Sequence, residues 1–183
     1  MKQILYLVIT CTILFTSCTN DVAGTSDVFT NPLDPETAEE TGFLTPAVVF
    51  FPARATTSVG GGVTLDIHAM DVDSIAGSHI QVSYNKAKLT LLSLSQGSFY
   101  DGAPEMLFYY EDDTNVGLID IYSGFLGVDS ASVSGTGQLA SMVFTTISAG
   151  VSTVSFTVLS EFVDPQDNPI EILGYGVSEV VAE

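Results

Sequence analysis

The chain has 183 residues, 46% of them hydrophobic, with 22 Asp and Glu against 4 Lys and Arg, for a formal net charge of −18. A field of that sign repels phosphate backbones and anionic head groups, which argues against nucleic-acid binding and against electrostatic adsorption to a membrane. Both cysteines, Cys11 and Cys18, lie ahead of the part that reads as folded, so no disulfide staples the domain and its stability must rest on a core.

The N-terminus reads as a processing signal. One basic residue, Lys2, precedes an apolar run from Ile4 to Phe15, and a small residue, Ser17, stands before Cys18. That is the order of a secretory signal, and the run is too short for a comfortable bilayer span. The segment Leu14-Phe15-Thr16-Ser17-Cys18 resembles a bacterial lipobox, in which the cysteine is lipidated and becomes the new N-terminus. An ordinary signal with an incidental cysteine is the alternative. Residues 1–17 are therefore expected to be a lipoprotein signal peptide and Cys18 the lipidation site. The protein would be extracytoplasmic, held to the membrane by its lipid anchor only. Thr19 after the cysteine favours the outer membrane or cell surface. Residues 18–45 are rich in Thr, Asp, Asn, Pro and Glu, hold no Lys or Arg and show no sustained apolar period. They read as a disordered acidic tether, with a single domain over 46–183.

Within that domain the apolar residues alternate. Residues 48–51 form a first strand ended by Pro52, and the glycines at 60–62 make a turn. Val63, Leu65, Ile67 and Ala69 then alternate with Thr64, Asp66, His68 and Met70, and residues 71–77 read as a loop. Ile80, Val82 and Tyr84 alternate with His79, Gln81 and Ser83, the period of a half-buried strand, and a turn at Asn85-Lys86 leads to the apolar run 89–94. An aromatic strand over 106–111 follows the turn at 101–104. The polar hairpin 111–115 leads into 117–125, where Ile119 and Ile121 oppose Leu118, Asp120 and Tyr122. Residues 124–137 read as an exposed connection. Ala140, Met142 and Phe144 mark the next strand, Val154, Phe156 and Val158 another, and residues 175–181 the last. Short strands separated by turn residues, with no helical period, predict an all-β sandwich or barrel.

Catalytic material is scarce. Asp71, Asp73, Asp112, Asp113, Asp164 and Asp167 fall in turns, and nothing in the sequence pairs Asp66 with Asp120 across a cleft as glycoside cleavage requires. Two histidines and no cysteine in the domain leave little for a nucleophile triad or a zinc site. Neither 111–115 nor 164–168 has the ligand pattern of an EF-hand. The expectation is no enzyme, no metal and no cofactor in this chain. Exposed tyrosines suit a protein interface or a sugar ring, and the absence of Trp weakens the second.

The order of elements resembles the cohesin family, receptor modules that hold dockerin-bearing enzymes on bacterial scaffolds. The resemblance runs from about Ala47 to the C-terminus. It is carried by Val59-Gly-Gly-Gly-Val-Thr-Leu-Asp-Ile67, Ile75-Ala-Gly-Ser-His-Ile-Gln-Val-Ser-Tyr-Asn85, Leu94-Ser-Gln-Gly-Ser-Phe99 and Gly117-Leu-Ile-Asp-Ile121. Ser134-Gly-Thr-Gly-Gln-Leu-Ala-Ser-Met-Val-Phe144, Ala149-Gly-Val-Ser-Thr-Val-Ser-Phe156 and Asp164-Pro-Gln-Asp-Asn168 complete it. It implies a jelly-roll β-sandwich of about nine strands, similar also to some cellulose-binding modules. In cohesins the dockerin lies across one flattened sheet face. Carried over by strand and alternation, that face is His79, Gln81 and Ser83, Tyr109 or Tyr110, Leu118, Asp120 and Tyr122, and Ser141 and Val143. Histidine here replaces a commoner short polar or acidic residue. The resemblance implies non-catalytic capture of a dockerin-containing protein, a polysaccharide-degrading enzyme, with calcium on the dockerin. Direct binding of polysaccharide and a structural contact with other envelope proteins are the alternatives.

Overall fold

The computed structural model describes residues 33, 36–38, 42–101, 106–126 and 131–183. The signal segment 1–17, Cys18 and residues 102–104 of the expected turn lie outside the described residues. The strands are β1 (Ala47–Phe51), β2 (Arg54–Thr57), β3 (Gly62–Ile75), β4 (Gly77–Ser83), β5 (Leu89–Gln96) and β6 (Met106–Asp113). Next come β7 (Leu118–Phe125), β8 (Val133–Thr146), β9 (Gly150–Phe156), β10 (Glu161–Val163), β11 (Gly174–Tyr175) and β12 (Ser178–Ala182). A five-stranded sheet has the order β11-β1-β3-β8-β5, and a seven-stranded sheet the order β2-β12-β9-β4-β7-β6 with β10 also on β4.

The sandwich expected from alternation is there, with twelve strands among the described residues where about nine were expected. Two of the extra strands come from the ends of the chain, and β10 is a third, added on β4. Proline brings no N–H to a ladder, and at Pro52 the first strand leaves one sheet and resumes as β2 in the other. The last strand switches in the same way between β11 and β12. The two switching segments run side by side, since β1 pairs with β11 and β2 with β12, both in parallel.

Inward residues of both sheets form one core. Phe50, Leu65, Ile67 and Phe144 come from the five-stranded sheet, and Ile80, Val82, Ile119, Ile121 and Val154 from the other, each no more than 1% exposed. Burying a side chain of this size contributes roughly 1.5–3 kcal/mol before chain entropy is counted. At one end, Ser78, Ser123 and Tyr100 share hydroxyl hydrogen bonds of 2.6 and 2.9 Å, which satisfy polar groups that water cannot reach.

Two local expectations are corrected. Residues 71–75 are not a loop: they belong to β3, where inward positions pass from Ala69 to Val72 to Ile75 across two register shifts. Each shift inserts one residue at positive φ, Asp71 at 51° and Ser74 at 56°. Their displaced N–H groups donate to Thr136 Oγ1 (3.1 Å) and Ser134 Oγ (2.8 Å). The expected connection before residue 137 is accordingly shorter, because β8 begins at Val133 to meet this part of β3. The second correction concerns the tether over 18–45. Ala38 is fully buried against Ala47, Val49 and Met70, with Leu33 and Phe43 packed on the same cluster, so the folded unit reaches back before residue 46.

Candidate protein-binding face

The antiparallel register of β4, β7 and β6 sets their outward side chains in rows. His79 pairs with Tyr122 and Tyr122 with Tyr109; Gln81 pairs with Asp120 and Asp120 with Glu111; Ser83 pairs with Leu118 and Leu118 with Asp113. On the far side of β4, Ser155 of β9 lies opposite Ser83 and Glu161 of β10 opposite His79. One continuous surface thus spans five strands. Tyr109 is 50% exposed and Tyr122 38% exposed on it.

A polar chain crosses this surface. Asp120 Oδ1 accepts from Gln81 Nε2 at 2.8 Å and bonds His79 Nε2 at 2.7 Å. The Gln81 amide oxygen accepts from Thr157 Oγ1 at 2.8 Å, so both ends of this side chain are engaged. The His79 ring stacks on Tyr122, with centroids 4.7 Å apart and planes within 5°, and Tyr109 lies beyond at 6.3 Å and 23°. Tyr109 Oη donates to Glu111 Oε1 at 2.6 Å; that bond, more than burial or the carboxylate's charge, raises the phenol above its ordinary pKa. Each long side chain is therefore braced by a neighbour, which lowers the entropy lost when a partner docks.

Seven of the ten residues expected on the face come together there: His79, Gln81, Ser83, Tyr109, Leu118, Asp120 and Tyr122. Tyr110 does not, because it pairs with the inward Ile121 and so lies on the other side of β6. Ser141 and Val143 do not either. They belong to β8, between β3 and β5 in the opposite sheet, where Ser141 Oγ donates to Asp66 Oδ1 at 2.6 Å. Alternation tells which residues of a strand share a side, but not which sheet holds the strand. Glu111, Ser155, Thr157 and Glu161 were missed. Glu111 was legible from its two-residue step after Tyr109; Glu161 was not, since only the pairing of β10 with β4 brings it beside His79.

Among the described residues no group of three or more His, Cys, Asp or Glu is arranged to hold a metal ion. The His79 imidazole is held between a carboxylate and a ring. What the surface has is breadth, exposed aromatic rings and fixed polar groups, the makings of a protein-binding β-sandwich module. The model of the cohesin domain matches residues 48–174, and the chain belongs to the cohesin family. Cohesin domains are non-catalytic protein-interaction modules that carry no cofactor.

Solved structures share the fold. A type II cohesin domain from the cellulosome of Acetivibrio cellulolyticus aligns with TM-score 0.64 at 16% identity, covering 74% of this chain and 95% of that one. A non-cellulosomal cohesin from the archaeon Archaeoglobus fulgidus aligns at 0.59 and 18%, covering 74% and 92%. A type I cohesin–dockerin complex from Clostridium thermocellum aligns at 0.62 and 14%, covering 75% and 99%. A search of curated proteins returns no match.

Proposed function

We propose that this chain is a membrane-tethered receptor that captures a dockerin-bearing protein on the outer face of its seven-stranded sheet, with no bond made or broken. The observation that carries the reading is the braced row His79–Tyr122–Tyr109 beside Gln81–Asp120–Glu111 on the outer face of the sheet. Similar cohesin structures have been solved as complexes with dockerins, which supports the class of partner. The captured protein is a polysaccharide-degrading enzyme, and its dockerin brings the calcium. Lipid on Cys18 holds the receptor at the outer membrane or cell surface, a reading supported by the lipobox-like run 14–18.

The test is direct. The mature chain is immobilised and offered purified dockerin modules with calcium or with EDTA. Binding that needs calcium is the expected result. Retention on a polysaccharide column regardless of calcium, with no dockerin bound, would replace this reading with direct sugar binding. For the anchor, Cys18→Ala is expected to move the protein from the membrane to the soluble fraction.

A further inference from the structure

Between Phe156 and Glu161 the chain interrupts what is otherwise one continuous run of pairing along β4. It does so in a β-turn whose feet are both fixed to Gln81. Thr157 N–H donates to the Gln81 carbonyl at 2.9 Å, and Gln81 N–H donates to Ser160 Oγ at 3.1 Å. Ser160 N–H closes the turn onto the Thr157 carbonyl at 3.2 Å, and Leu159 N–H donates to Thr157 Oγ1 at 3.2 Å. At its tip stand Val158, 98% exposed, and Leu159, 57% exposed.

A single exposed apolar residue is ordinary on a protein surface. This pair differs in its support: the side chain that holds the turn by one end holds Asp120 by the other, so the tip is rigidly continuous with the face. A preorganised apolar tip at the border of an interface contributes contact area with little ordering cost. Glu161 follows at once, exposed and opposite His79. Ion pairs form at His79–Asp120 and Arg54–Glu179, and Glu161, Glu111 and Asp113 have no Lys or Arg partner among the described residues. With 4 basic residues in the whole sequence, complementary charge must come from outside.

We infer that the β9–β10 turn is a specificity element: Val158 and Leu159 enter an apolar pocket on the dockerin-bearing partner, and a Lys or Arg at the rim of that pocket meets Glu161. This rests on the receptor reading above. Gln81 acts as a positioning residue, touching the partner less than it fixes the parts that do.

The experiment compares the full mature chain with Val158→Asp/Leu159→Asp, Glu161→Lys and Leu92→Asp. Leu92 is 62% exposed on β5 of the opposite sheet, and its variant controls for added charge. A dockerin module that binds the unaltered chain in calcium is titrated against each by calorimetry, and thermal midpoints are recorded. The expected result is about tenfold or greater weakening for the double variant, with its midpoint unchanged. Weakening by Glu161→Lys, with a shallower salt dependence, and no effect of Leu92→Asp complete it. Equal affinity of the double variant, or equal weakening by Leu92→Asp, overturns the inference and leaves the receptor reading standing. Failure of every dockerin to bind the unaltered chain overturns both.

Discussion

The imidazole of His79 and the phenol ring of Tyr122 lie on neighbouring strands, 4.7 Å apart and parallel to within 5°. That distance is the spacing of hydrogen-bonded strands, so the rings stand on edge against each other and turn their edges, not their faces, to solvent. Aromatic residues that stack on sugars need a free ring face. The mature chain is therefore expected to pass unretarded through a polysaccharide column. Retention abolished by Tyr109→Ala would restore the carbohydrate reading.

Tyr109 is half exposed and braced by Glu111 and the Tyr122 ring, whereas the core lies on the other side of its strand. Tyr109→Ala is expected to weaken dockerin capture by about 1–2 kcal/mol, a typical range for an interfacial tyrosine. Stability should change by less than about 0.5 kcal/mol, as for most exposed positions. Parallel calorimetric titrations and urea melts check the split; equal losses in both would make the ring structural.

Tyr84 stands for the opposite case. Its ring is buried 5.4 Å from Phe144, and its hydroxyl donates to Asp112 Oδ1 at 2.8 Å. Burial, then that bond and the nearby carboxylates, push the phenol well above its usual range, so it stays protonated and remains a donor. Tyr84→Phe is expected to cost about 1.5 kcal/mol, the worth of a hydrogen bond to a charged acceptor, without altering capture. A urea midpoint that does not move would show that solvent replaces the bond.

Gly117 closes the β6–β7 hairpin at φ 79°, and a Cβ there would strike the Tyr84 carbonyl oxygen. Backbone strain and collision act together, so Gly117→Ala is expected to destabilise by about 2 kcal/mol or more. A thermal midpoint within one degree of the unaltered chain would contradict this geometry.

His68 gives the fold a pH dependence. Burial lowers its pKa from the ordinary 6.5, with Asp66 pulling more weakly the other way. The unfolded chain thus takes up this proton at higher pH than the folded one. The folded state is favoured in full above pH 6.5, and stability falls as pH drops from there toward the lowered folded value. His68→Gln is expected to flatten that part of a stability–pH curve from urea melts; an unchanged slope would assign it to other groups.

How much of this was legible beforehand depended on period. Ile80, Val82, Ile119 and Ile121 alternate without interruption, and their burial follows directly from the sequence. Val72 and Ile75 do not, because the bulges at Asp71 and Ser74 stretch the inward step from two residues to three, which looks like loss of pattern. Val158 misled in the other direction. It continues the alternation of Val154 and Phe156, yet the chain has already turned away from the sheet, held by bonds from Thr157 and Ser160 to Gln81, 76 and 79 positions earlier, that no local rule anticipates. Ser141 and Val143 failed for a third reason: partner strands are chosen by long-range topology, which side-chain pattern constrains weakly.

Parallel pairing of β1 with β11 and of β2 with β12 also governs how the domain meets tension. A pull drawing the two chain ends apart slides these strands lengthwise, so their hydrogen bonds are loaded together instead of peeling one by one. A domain whose end strands pair this way resists such a pull more than one whose end strands would unzip.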